Sequence, residues 1–138
     1  MLMVLLFSQI PCCTTFLMAT LFMSDAPVDE DALLELVDED SAFLETLVNT
    51  FLEDCTDYMD NIRRAVDEED TETLLEEAHG LKGAVANLQA EPARRAAHRM
   101  EELGRQDTLD DASDALQDLE QQIERLRAEL RELVRTHT

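Results

Sequence analysis

The chain has 138 residues, with 32 acidic side chains against 11 basic ones and a formal charge of −21. That balance excludes a nucleic-acid surface, which needs a basic footprint, and speaks against docking on an anionic membrane. No tryptophan, one tyrosine and five phenylalanines leave an aliphatic core, and the abundance of Leu, Ala and Glu favours one helical domain.

Residues 1–22 carry no charge. A run of that length could span a bilayer as a helix. However, it lacks a basic leader, is interrupted by Pro11 and is followed by Asp25, Asp29, Glu30 and Asp31 rather than by Lys or Arg. The reading taken is an over-extended start, with the protein proper at 23–138; a membrane anchor and a secretory signal are the alternatives. Cys12 and Cys13 are adjacent and Cys55 stands alone, so there is no disulfide framework, and a reducing, cytoplasmic setting is expected.

After Pro27, Leu33, Leu34, Leu36 and Val37 predict a short first helix. A long second helix follows from the three- and four-residue spacing of apolar positions between Phe43 and Val66. Asp70 or Thr71 is the expected N-cap of a third helix, with Leu74, Ala78, Leu81, Val85 and Leu88 on its apolar face. Pro92 suits the first turn of a fourth, which Gly104 is expected to stop. Thr108 with Asp111 resembles a capping box before a last helix, whose leucines from Leu109 to Leu133 form a heptad seam. That seam could serve a coiled-coil dimer, but among three other amphipathic helices it is read as buried against them, in a monomer. The fold class is all-α, an up-and-down four-helix bundle with a short extra N-terminal helix.

The third helix contains two of the three glycines and the only lysine, in "EEAHGLKGAVANLQA", residues 76–90. Each glycine costs about 1 kcal/mol relative to alanine inside a helix. On a helical wheel the apolar positions lie within roughly 40° of one direction, and His79 falls about 140° from Leu74. Leu75 begins the His79 row, Lys82 and Gly83 flank it one turn on, and Ala86 continues it. The glycines would leave room for a partner to approach the ring. An open imidazole beside a cation suggests nucleophilic attack on an anion such as a phosphoryl group. His98 is read as a surface residue and Cys55 as core.

"AHGLKGAVANLQA" resembles the signature of histidine-containing phosphotransfer (HPt) domains, AHxLKGxxxxLGA, through His79, Lys82 and Gly83 with Ala78, Leu81, Leu88 and Ala90. "HRMEELGR", residues 98–105, resembles the family's next helix. Gln89 departs from the pattern, standing where the family usually has Gly. The resemblance implies that His79 accepts a phosphoryl group from a receiver-domain aspartyl phosphate and passes it to another receiver aspartate. Lys82, Gly83, Leu75 and Ala86 would then form the binding surface. It further implies response-regulator receivers or a hybrid sensor kinase as partners, Mg²⁺ on the receiver rather than on this chain, and a stoichiometric carrier without a nucleotide site. Two other readings remain. Glu76 and His79 make one Glu-x-x-His, but no second copy exists, so no metal site is expected. A helical interaction module that is never phosphorylated is the alternative function.

Overall fold

The computed structural model describes residues 26–137. The uncharged segment 1–22, and with it the reading of its origin, lies outside them. Five helices follow one another: α1 (Glu30–Leu36), α2 (Ser41–Asp67), α3 (Thr71–Asn87), α4 (Glu91–Arg105) and α5 (Ala112–His137). Asp29, Asp40 and Asp70 cap the first three, their carboxylates accepting hydrogen bonds from the backbone N–H groups of Ala32, of Ala42 and Phe43, and of Thr73. Part of the chain's acidity therefore sits at helix N-termini, where negative charge is favourable. Pro92 occupies the first turn of α4.

Helices α2 to α5 close a ring. Each packs on its neighbour in sequence, and α5 returns to α2, so the bundle runs up, down, up, down. Leu119, Ile123, Leu126, Leu130 and Leu133 of α5 are buried within the chain's own core, which resolves the heptad seam as an internal face. Cys55 is also fully buried, as the sequence suggested, and burial pushes its thiol pKa up. α1 sits across one end, buries Leu33, and is tied to the α3–α4 turn by a hydrogen bond from Asp29 N–H to the Gln89 carbonyl at 2.9 Å.

Two boundaries differ from the sequence reading. α5 begins at Ala112, beyond the Thr108 capping box, and Ala115 rather than Leu116 carries the seam through its first turns. Gly104 does not stop α4, which continues to Arg105. It is buried, and a Cβ there would lie 2.8 Å from the Leu75 nitrogen and 3.0 Å from the Thr71 carbonyl oxygen. Its function is close backbone approach between α3 and α4. Together with the buried Ala93, Ala96 and Ala97 it lets these two helices pack closely.

The turns have the opposite character. Asp38 and Glu39, Glu69, Gln89 and Asp107 all have φ between 55° and 59°, the left-handed region that glycine tolerates best. After α3, Gln89 N–H donates to Ala86 O and Ala90 N–H to Val85 O, the two bonds of a Schellman ending, and α2 and α4 end the same way. Gln89 thus fills a position built for glycine, and the helix still ends there. Replacing Gln89 by Gly should stabilise the fold by roughly 1 kcal/mol, because a side chain in this conformation costs about 1–2 kcal/mol. Gly104→Ala should destabilise it by about 1–3 kcal/mol, because a backbone and not a flexible side chain must yield. Urea unfolding of both variants checks the opposed signs.

Candidate functional site

His79 projects from the middle of α3 with 70% of its side chain exposed. Facing it from α4 is Glu101, which is 1% exposed and the one buried charged residue among those described. The carboxylate gathers three partners. Lys82 Nζ lies 2.7 Å from Oε2 and 3.1 Å from Oε1, Arg105 Nη2 donates to Oε1 at 2.9 Å, and His79 Nδ1 lies 3.3 Å from Oε2. Arg105 also pairs with Glu102. Burial alone would push the Glu101 pKa up; the hydrogen bonds from Lys82, Arg105 and His79 outweigh it and bring it down to about 2.

An ionised carboxylate can only accept hydrogen bonds, so the His79 nitrogen facing it is the protonated one. Nδ1–H then points inward and the Nε2 lone pair outward. Glu101 thereby favours the tautomer with its free lone pair on the solvent side, as a carboxylate orients the imidazole of a catalytic triad.

The other residues singled out in the sequence divide. Gly83 is exposed, and nothing lies within 4 Å of where its Cβ would be, so one turn beyond His79 the surface is open. Leu75 and Ala86 are half-buried on the same row. Lys82 does reach the site, but its ammonium is committed to Glu101 and only 24% of its side chain is exposed. The cation expected beside the ring is therefore paired with a carboxylate that the sequence reading did not include. Gly80 also needs a different account: a Cβ there would meet the Tyr58 ring of α2 at 2.7 Å, so this glycine accommodates a packed aromatic, not a visitor.

Sequence reasoning missed Glu101. The signal was present, because Glu101 falls on the small-residue stripe of α4 with Ala93, Ala97 and Gly104. A charge in such a stripe demands a partner. Among the described residues, His98, Glu101 and Glu102 bring three ligand atoms within 4.8 Å of one another. Lys82 and Arg105 already take up the Glu101 oxygens, so the group reads as an ion-pair network. No helix among the described residues is long and apolar enough to cross a membrane.

Residues 46–129, more than half of the chain, match the sequence model of the Hpt domain. The fold is similar to the crystal structure of histidine-containing phosphotransfer protein B (HptB) from Pseudomonas aeruginosa PAO1. The TM-score is 0.76 at 20% identity, over 81% of this chain and 97% of that one. No curated protein matches the chain in sequence.

The depressed pKa of Glu101 has a consequence for stability. Its folded value of about 2 lies below the ordinary 4.5, so its stabilising contribution is fully present above about pH 4.5 and is lost as pH falls through about 2. Glu101→Gln should flatten the acid limb of the stability profile in that window. Urea midpoints at pH 7, 4 and 2.5 for the two proteins check this.

Proposed function

The chain belongs to the histidine-containing phosphotransfer (Hpt) domain family, and on that premise we propose that His79 is its phosphoacceptor, taking a phosphoryl group from the aspartyl phosphate of one receiver domain and delivering it to an aspartate of another. The single observation that carries this reading is the ionised, buried Glu101 holding Nδ1–H of an otherwise open His79. Histidine phosphotransfer in a phosphorelay is the function of the family.

The step balances without any further reactant. The Nε2 lone pair attacks phosphorus, the P–O bond of the acyl phosphate breaks, and its electron pair leaves on the aspartate carboxylate. The ring becomes a cation that keeps its Nδ1 proton, and Glu101 stands against that new positive charge. Return transfer to a second aspartate reverses each change. Mg²⁺, on this reading, is bound by the receiver and not by this chain. This chain supplies nucleophile, orientation and surface, as a stoichiometric carrier with no nucleotide site of its own. Response-regulator receivers or a hybrid sensor kinase are the proposed partners, the location cytoplasmic, and the carrier a monomer, since the α5 seam is occupied internally.

The receiver would dock over the row Leu75, His79, Gly83 and Ala86, where the open position at Gly83 admits it. Small and apolar side chains beside a charged rim suit such a contact. The antiparallel run of α4 sets Glu101, with Arg105 bonded to it, along one edge of that row.

The test is incubation with phosphorylated receivers, followed by detection of acid-labile, base-stable phosphate. His79→Gln should fold normally and take up none; labelling of this variant at the wild-type level would refute the assignment, and no labelling of the wild-type chain would favour an interaction module without phosphate. Glu101→Gln should still be labelled but about tenfold more slowly, as expected for the loss of a group that orients a reactive histidine. Lys82→Ala should lower the single-turnover rate with near-normal receiver binding, because it removes a restraint on Glu101 and not a contact with the receiver. Gly83→Leu should lose receiver binding, whereas Gly83→Ala should fold with up to about 1 kcal/mol more stability.

A further inference from the structure

The N-terminal part of the bundle has a composition that phosphotransfer at His79 does not use. Between residues 26 and 62 there are 12 acidic side chains and no Lys, Arg or His. Eight of the 12 fall in residues 29–45, which comprise α1, the turn after it and the start of α2. Two of them, Asp29 and Asp40, serve as helix caps, and the stretch itself holds no basic residue to answer the rest. The crowding is felt on the adjoining helix. The carboxyl of Glu129 on α5 is held above its usual range by its hydrogen bond with Glu30 of α1, then by burial and by the charge of Glu30.

The same corner carries the two large apolar side chains that the described residues leave exposed. Leu36, the last residue of α1, is 55% exposed, and Phe43, the third residue of α2, is 50% exposed. They stand on either side of a tight turn closed by hydrogen bonds from Asp38 N–H to Glu35 O, Glu39 N–H to Leu34 O and Asp40 N–H to Val37 O. Half-buried Leu47 lies one helical turn beyond Phe43. Apolar anchors set in a rim of one charge are the pattern of a recognition surface, with the anchors giving affinity and the rim selecting the partner's sign.

We propose that the α1–α2 corner docks a basic, amphipathic segment of a partner protein, with Leu36 and Phe43 as apolar anchors and the surrounding carboxylates as the selecting rim. The charge argues for this occupant over the others. A second copy of the chain, meeting through the same corner, would oppose two acidic stretches that contain no base, and an anionic membrane would be repelled likewise. A cationic helix with one apolar face satisfies both halves of the surface. The proposal does not depend on the chemistry of His79.

The experiment uses the full chain and two synthetic peptides of about 18 residues, roughly five helical turns, made of Leu and Lys. One is arranged with a single apolar face, and the other has the same composition scrambled. Calorimetric titration should give at least about tenfold tighter binding for the amphipathic peptide. The double variant Leu36→Ser, Phe43→Ser should bring its affinity down to that of the scrambled peptide. Glu35→Gln with Glu45→Gln, which leaves the anchors in place, should weaken binding and lower its salt dependence. Phosphoryl uptake from a receiver should be unchanged in both. Equal binding of the two peptides, or unchanged binding by the double variant, overturns the proposal. So does loss of receiver transfer in the double variant, which would assign the corner to the receiver, or sedimentation showing a dimer that the same variant dissociates.

Discussion

A single carboxylate buried between two helices organises this molecule. Glu101 lies under α3 with 1% of its surface exposed, and a charge so placed is costly unless every lone pair is used. Lys82, Arg105 and His79 use them. The requirement reaches into the sequence of both helices. For Glu101 to face α3 at hydrogen-bond distance the two backbones must be close, and Gly104 over Leu75 with the alanines of α4 permits that approach. The single lysine of the chain sits on α3 where it meets that carboxylate. The tautomer of His79 follows from the same group. Packing, electrostatics and nucleophile orientation are therefore one constraint.

The helices were legible because their apolar spacing is regular, and the His79 row was legible because a wheel fixes direction. A wheel does not fix what lies in that direction. Gly80 and Gly83 look alike as helix glycines in the sequence, yet one abuts Tyr58 and the other faces open space. Lys82 lies near His79 as the helical spacing implies, but its partner was invisible, since Glu101 is 19 residues away and belongs to another helix. The turns were hidden for a different reason. Glycine is the usual mark of a left-handed helix end, and here Glu69, Gln89 and Asp107 take that conformation while all three glycines lie inside helices. Reading Gly104 as a stop followed the ordinary rule, and tertiary packing overrode it.

The acidity of the chain separates into parts with different physical consequences. Asp29, Asp40 and Asp70 cap helices. Glu91, Glu124 and Glu132 are matched by arginines one turn away on their own helices, exposed pairs worth little individually. The eight acids of residues 29–45, a stretch with no basic residue of its own, lie together at the α1–α2 corner. Around His79 the balance is different, for Glu101 and Glu102 are opposed by Lys82 and Arg105, four charges that sum to zero, with Glu76 three residues before His79 on α3 beside them. Salt screens the more distant acids beyond about 10 Å, so on the proposed reading a phosphoryl group arriving at His79 would meet this local balance more than the formal charge of −21.

That local balance bears on how a carrier has to work. A phosphoryl group that is accepted only to be given away must not be held tightly in between, because stabilising an intermediate more than the transition state that releases it slows the second transfer. A histidine beside free cations would tend to retain a dianionic group. On the proposed reading the cations are already committed to Glu101, and what Glu101 would stabilise is the positive ring charge, which forms in the first transfer and disappears in the second. The carboxylate thereby favours attack without offering the phosphoryl oxygens a strong local anchor, and any donors for those oxygens would have to come with the docking partner. On the proposed reading, the burial of one glutamate thus makes His79 reactive while leaving the phosphoryl group loosely held by this chain.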